Sequence, residues 1–461
     1  MDTRHTPASV AQRLLWMIKH YRTDFGALSC PVLCRLTGEV DPDALDAALS
    51  ALTARHESLR TTFTGRGARL AQVVHPPTAG GVRRVDLTGV PDPAVALDQA
   101  VRAELRTAID PTEWPSRTTL WRLAPGEHVL CLNLHHLVTD AWSTGILFRD
   151  LGTLYARATG ARAQPPPTGW QYASFVRWQQ ELLDSDGLRR HREYWRRQLA
   201  GSQLPTLGSP SADTSQSATA GQAGSEDAPA TSDVAIDLDR ETVARLRALA
   251  RSRHTTLFSV LLAVFYQHLH RITGQDDLAV ASMFANRSRA ELRETVGLLA
   301  NMVLLRARVG QATTFAELIG QAHAAAIGAF TYQDLPYQML PLDVVQTGGR
   351  RADDVLFNVM AEVRHRTVAA GVGFELLVPP GLGSRFRFEL AIAPVGPADL
   401  RAVFYHSTAA YPGAQASEFV SGYAELAARL AAEPNAPLGS ARPGRQTPTN
   451  ASQYDTGVTH S

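Results

Sequence analysis

Apolar and polar residues alternate along 128–136. Leu130, Leu132, Leu134 and His136 fall on one side of an extended chain, and Val129, Cys131, Asn133 and His135 fall on the other. The period then changes. Thr139 and Asp140 are good helix N-cap residues, and Trp142, Ile146 and Leu147 follow at helical spacing. The stretch predicts a strand, a tight turn and a helix. Strand ends beside helix starts gather side chains and free backbone N–H groups. An imidazole placed there can move a proton near neutral pH. The same residues also read as a polar pair that merely closes a strand.

Similar patterns recur along the chain. Asp41-Pro42 opens a helix with an N-cap and a first-turn proline, and Leu45, Ala48, Leu49 and Leu52 form its buried stripe. That helix runs into RHESLRTTF at 55–63, where a strand begins. Mixed strands and helices continue to about residue 200, including two helices with aromatic residues at core spacing. The second of these carries the basic cluster Arg189–Arg197, which reads as a solvated face. Residues 201–233 are rich in Ser, Ala, Gly and Asp, with few large apolar residues. Such a stretch buries too little to offset its ordering entropy, so a flexible linker is expected. The pattern resumes with VAIDLD, a helix over 240–252, and a buried helix on Leu257, Leu261, Leu262, Phe265 and Leu269. LAVASMFANRSR, VGLLANMVLLRARV, VLFNVMAEV, RFRFELAIAPV and LRAVFYHS read as strands, and 416–432 as a last helix. The predicted organisation is 1–200, a linker at 201–233, a second half at 234–432, and a disordered tail at 433–461.

Length and composition narrow the options. A chain of 461 residues exceeds one ordinary core, so two domains are expected. Hydrophobic content of 44% and charged content of 19% fit a globular protein. A net charge of +1 gives no reason to expect nucleic acid or an anionic membrane as partner. Lys19 is the single lysine, and arginine supplies the other basic charge. Cys30, Cys34 and Cys131 match neither a disulfide framework nor a zinc site and are expected to be core thiols, with no metal bound. The N-terminus lacks a signal-peptide h-region, and LFSVLLAVFY from Leu257 is too short to span a bilayer, so a cytoplasmic protein is expected. No Walker A loop, Gly-x-Gly-x-x-Gly, Gly-x-Ser-x-Gly or His-Glu-x-x-His is present. Nucleotide hydrolysis, dinucleotide redox chemistry, serine hydrolysis and zinc proteolysis lose their usual signatures.

His-His-x-x-x-Asp followed by Ala-Trp-Ser resembles the active-site motif of the condensation domains of nonribosomal peptide synthetases. Other segments resemble further motifs of that family, in order. They are SVAQRLLWM at 9–17, RHESLRTTF at 55–63, YASFVRW at 172–178, VGLLANMVLLR at 296–306, YQDLPYQ at 332–338 and, more loosely, RRADDVLFNVM at 350–360. The resemblance implies an α+β fold of two chloramphenicol-acetyltransferase-like halves. They form a V-shaped pseudo-dimer with a central tunnel. A carrier protein acting in trans would bring an acyl thioester on its phosphopantetheine arm, with no cofactor resident in the enzyme. An amine or hydroxyl would be the nucleophile, giving an amide or an ester. A two-halved chain has no need of another copy, so a monomer is expected.

The resemblance also assigns residues. His136 becomes the central catalytic histidine, as base or as holder of the nucleophile, and His135 braces the same motif. Asp140 becomes a structural carboxylate paired with an arginine of the second half, for which Arg287 stands first and Arg289 competes. Ala141, Trp142 and Ser143 would lie against the substrate. Asn358 would be a tunnel residue, or else an ordinary strand amide. Ala141 departs from the family glycine: at negative φ its methyl narrows the pocket, and at positive φ it strains the loop. Glu389 stands where the family often has Asp. Two other readings stay open. One is a coenzyme A-dependent acyltransferase of the same superfamily; the other is a non-catalytic recruitment module, for which Ala141 is the only support.

Overall fold

Local chemistry sets the element ends. Asp41 caps the helix Pro42–Arg55 by accepting from the backbone N–H groups of Asp43 and Ala44, with proline at its first turn. The helix Leu257–Thr273 is apolar around most of its surface and lies at the centre of the second half, buried from Ser259 to His270. The structure, a computed structural model, describes residues 3–21, 28–78, 81–207, 231–341, 345–347, 350–360, 366–379, 384, 386–396, 398–408 and 410–438.

Two six-stranded sheets organise the chain, each with helices against it. The second runs Asn301–Arg308, Asp277–Phe284, Val355–Val359, Phe388–Pro394, Leu400–Ser407, Thr231–Leu238. Val355–Val359 is parallel to both neighbours, and the other pairs are antiparallel. The first sheet runs Arg366–Ala369, Val372–Leu377, Val32–Thr37, Glu127–Leu134, Ser116–Ala124, Val82–Asp86. Its first two strands come from the far side of the expected boundary. The hairpin 366–377 leaves the second half by sequence and completes the sheet of the first. Gly38 permits this: a Cβ there would stand 2.8 Å from the Gly371 carbonyl oxygen. A small sheet of Arg4–Pro7, Ala71–Val74 and Thr61–Thr64 lies beside these.

The alternation at 128–136 serves two packing layers. Leu130, Leu132 and Leu134 join the main core of the first half, and Val129 and Cys131 join a smaller cluster on the opposite face with Trp121 and Leu105. Cys34 and Cys131 are buried core thiols; burial pushes the Cys34 thiol up to about 12. Cys30 differs from the expectation: it is only half-buried and precedes the strand that begins at Val32.

The strand expected over 296–309 is shorter, Asn301–Arg308. Val296, Leu298 and Leu299 belong to the core of the first half, and the N–H groups of Leu299 and Ala300 bond to a side chain there, so 296–300 cannot join the ladder. The expected linker 201–233 also narrows. Leu204 and Leu207 pack into the second core, and Thr231–Leu238 is a strand; 208–230 lies outside the described residues, as does 439–461 of the expected tail. Arg189–Leu199 is a helix with Trp195 buried and Arg189, Arg190, Arg196 and Arg197 exposed. Among the described residues no helix is long and apolar enough to cross a membrane.

Candidate active site

The strand Glu127–Leu134 ends one residue before His135, and a single 3-10 turn, His136–Val138, carries the chain to the N-cap at Asp140. His135 is 3% exposed, and its Nδ1 accepts from the Leu137 N–H at 3.1 Å. It braces the turn. His136 is only partly buried, and its Nδ1 lies 2.8 Å from the Thr139 carbonyl oxygen. A carbonyl can only accept, so Nδ1 carries the hydrogen. In the neutral ring Nε2 is then the basic nitrogen.

Asp140 starts the helix Ala141–Ala158 and anchors the turn to the second half. Its Oδ1 accepts from the Ser143 N–H at 3.0 Å, the Ser143 hydroxyl at 2.8 Å and Arg287 Nη2 at 3.0 Å. Its Oδ2 accepts from Arg287 Nη1 at 2.9 Å and from the N–H groups of Leu299 and Ala300 at 3.0 and 3.1 Å. Burial opposes the charged form of Asp140. The Arg287 charge, the bidentate bonds and Ser143 outweigh it and hold the carboxyl below the usual range. Arg287 also donates to the carbonyls of Ala285 and Thr295. Arg289 goes elsewhere: it bonds Glu291 and lies over Trp170 and Trp178 at 5.4 and 5.5 Å.

The remaining expected site residues divide. Ala141 is exposed in the first turn of its helix and is not among the positive-φ residues. Its methyl group therefore strains nothing. Trp142 is 43% exposed, with Nε1 on the Arg293 carbonyl at 3.0 Å and the Arg287 guanidinium 5.7 Å from its ring. Ser143 does not fit the expected substrate contact. It is fully buried, donates to Asp140, and accepts from Gly297 N–H and Arg287. Its hydroxyl ties the two halves together. Asn358 is half-buried; its Oδ1 accepts from the Met283 N–H at 2.9 Å, and its Nδ2 donates to Glu389 at 2.7 Å.

A condensation-domain family model matches residues 2–442. The chain belongs to the condensation-domain family. It is 32% identical over 446 residues to one of the linear gramicidin synthase proteins of Brevibacillus parabrevis, covering 94% of this chain and 8% of that protein. It is 33% identical over 384 residues to cyclosporin synthetase of Tolypocladium inflatum, covering 83% of this chain and 2% of that protein. The chain therefore spans a small fraction of the curated synthetases it matches. Among solved structures, the first condensation domain of the calcium-dependent antibiotic synthetase in complex with a substrate analogue superposes with a TM-score of 0.76 at 20% identity, over 94% of this chain and 98% of that one. The X-domain from teicoplanin biosynthesis superposes with a TM-score of 0.76 at 22% identity, over 95% of this chain and 97% of that one. These likenesses establish the fold: α+β, in two chloramphenicol-acetyltransferase-like halves.

Within this condensation domain, several groups that brace the turn carry no chemical signature in the sequence. Gln12 Nε2 donates to the Leu137 carbonyl at 2.9 Å, inside the family's opening motif. The Tyr172 hydroxyl donates to the Leu298 carbonyl at 2.8 Å, and its ring passes so close to Gly297 that a Cβ there would meet it at 2.0 Å. Asp150, fully buried on the Ala141–Ala158 helix, takes Arg55 Nε at 2.7 Å, His56 Nε2 at 2.9 Å and Arg149 at 2.7 Å. Arg149 continues to Glu294 of the second half at 2.6 Å. Burial lowers the pKa of His56, against the opposing pull of Asp150. The motif at 55–63 thus acts on the helix of the His-His motif from behind, through Arg55 and His56.

Proposed function

We propose that this condensation domain transfers an acyl or aminoacyl group from the phosphopantetheine thioester of a carrier protein to an amine or hydroxyl, in the cytoplasm and as a monomer, with no cofactor of its own. The observation that carries the reading is His136. Its Nδ1–H is fixed on the Thr139 carbonyl, its Nε2 is the basic nitrogen, and the ring is partly exposed beside a helix N-terminus. In the step this supports, the nucleophile's nitrogen or oxygen attacks the thioester carbonyl carbon. The new C–N or C–O bond forms, the C–S bond breaks, and the thiol remains on the carrier's arm. Nε2 receives the nucleophile's proton and returns it to the departing thiolate. An amine needs little of this help and a hydroxyl more, because its pKa lies far from neutrality. Asp140, Arg287 and Ser143 hold the turn and do not touch the reacting atoms. Ala141 in a relaxed helical turn removes the strain that would have favoured a degenerate module.

The test supplies purified protein with an acyl-loaded carrier and a panel of amines and alcohols, and follows product by mass spectrometry. His136→Ala is expected to lose about 10²-fold or more for an alcohol acceptor, with unchanged far-UV circular dichroism. Full product from that variant would overturn the proposed role. Equal turnover of an acyl-coenzyme A would replace the carrier as donor.

A further inference from the structure

The segment SVAQ at 9–12 closes a capping box at the start of the helix Val10–Tyr21. Ser9 Oγ accepts from the Gln12 N–H at 3.1 Å, and Gln12 Oε1 accepts from the Ser9 N–H at 2.9 Å. The second bond settles which end of the amide is oxygen, because a backbone N–H can only donate. Gln12 Nε2 therefore points away from the box, with two hydrogens to place inside a core where Gln12 is 0% exposed. One goes to the Leu137 carbonyl at 2.9 Å and the other to Gln72 Oε1 at 3.2 Å. Gln72 is buried on Ala71–Val74, the middle strand of the small sheet. Its own Nε2 donates to the Pro7 carbonyl at 2.8 Å and to Thr6 Oγ1 at 3.4 Å, on the neighbouring strand. A carbonyl can only accept, so this amide is oriented too. Neither amide can flip without stranding buried groups. The Leu137 carbonyl belongs to the turn that carries His136. Within that turn, His135 Nδ1 accepts from the Leu137 N–H, the His135 carbonyl accepts from the Val138 N–H, and the Thr139 carbonyl takes His136 Nδ1–H. Gln12 reaches the same turn from another layer of the fold. An apolar side chain of equal length would fill its place without desolvating an amide; two linked, satisfied amides instead specify one geometry.

We propose that Gln12 and Gln72 are positioning residues: through this pair of amides the small sheet sets the direction in which the His136 ring presents Nε2. The kinetic consequence rests on the proposed acyl transfer; the orientation of the ring is independent of turnover. A displaced base costs rate where proton transfer limits the step, so an alcohol acceptor feels the displacement more than an amine.

The experiment compares the full native chain with Gln12→Met, Gln72→Met and the double variant, each shown to be folded by far-UV circular dichroism. NMR of ring-labelled histidine, with His136 assigned from His136→Ala, reads the tautomer. The native ring is expected as the Nδ1–H form, and Gln12→Met is expected to shift its signals and admit the Nε2–H form. With an acyl-loaded carrier, Gln12→Met is expected to lower kcat for an alcohol about tenfold or more, with KM for the carrier within about twofold, and to cost an amine less. Gln72→Met should lose less, and the double variant no more than Gln12→Met, because Gln72 acts through Gln12. In a His136→Ala background Gln12→Met should change nothing further. Native ring signals in Gln12→Met, equal losses for amine and alcohol, or a full further loss on top of His136→Ala would each overturn the proposal. Should Gln12→Met not fold, Gln72→Met carries the same ring and rate readouts. No acyl transfer by the native chain to any acceptor, beside the expected change in ring signals, would sink the proposed function and leave the positioning role standing.

Discussion

Removing Arg287 tests the junction most directly. Asp140 is 2% exposed, and its counter-charge is the bidentate guanidinium. Arg287→Ala would leave a buried carboxylate with neutral donors only, and breaking a buried pair from one side costs about 3–5 kcal/mol. Asp140→Ala removes the helix cap and strands the guanidinium, at a similar cost. The double variant strands no charge, so it should lose much less than the two singles combined, with a coupling of about 2–3 kcal/mol. What remains would be the orphaned N–H groups of Leu299 and Ala300, each about 1–3 kcal/mol. The assay is urea unfolding at pH 7, read by tryptophan fluorescence and far-UV circular dichroism, whose coincidence tests two-state behaviour. The pH dependence supplies a sign. With Arg287 present, the folded pKa of Asp140 lies below its unfolded value. Its stabilisation is then full above about pH 3.9 and fades only as pH falls from there through the folded pKa. Without Arg287, burial would dominate and raise that pKa, so acid would relieve the variant. The gap between variant and native chain should narrow from pH 7 to pH 4. A loss below about 1 kcal/mol in Arg287→Ala, or a coupling near zero, would refute the claim that this pair locks the halves.

Other outcomes follow from single sites. Ala141→Gly, which restores the family residue, should lower the thermal midpoint, since glycine costs up to about 1 kcal/mol in a helix; a rise would mean that the methyl group was strained after all. His56 has a folded pKa lowered by burial, so its stabilisation is full above the unfolded value near 6.5 and is lost as pH falls below it. Unfolding stability measured between pH 7.5 and 5 should therefore decline, and His56→Asn should flatten that part of the decline; an unchanged slope would remove His56 as its source.

Much of the fold could be read from periodicity because the period reported burial faithfully. The 128–134 alternation became two packed faces, and the Asp41-Pro42 cap became a helix start. The reading failed where a side chain overrode the ladder. Residues 296–300 have a strand's composition, yet the N–H groups of Leu299 and Ala300 serve Asp140, more than 150 positions earlier. The hairpin 366–377 joins the first sheet through a register that no local pattern encodes. The site was legible in part for the same reason. His136 and the Asp140 cap are local features. The Asp140–Arg287 pair is not, and only the family resemblance suggested it. Ser143 looked like a substrate contact because it follows the motif, but helical geometry turns it back onto its own N-cap and onto Gly297.

These crossings make the histidine turn of the first half depend on the second. Of the groups that neutralise and satisfy Asp140 among the described residues, only Ser143 belongs to the first half; Arg287, Leu299 and Ala300 come from the second. A first half alone would bury a carboxylate at the start of its key helix with its counter-charge missing, and it would lose two strands of its sheet. The turn that aims His136 is therefore formed by association of the halves, although every atom of the turn lies in one of them. Arg149 and Glu294 repeat the arrangement further along the same helix, at a more exposed position where an ion pair contributes less. Disturbing Arg287 should thus reach His136 through Asp140 before it disturbs either core, because the guanidinium meets the turn by two hydrogen bonds to one carboxylate whose geometry tolerates little displacement.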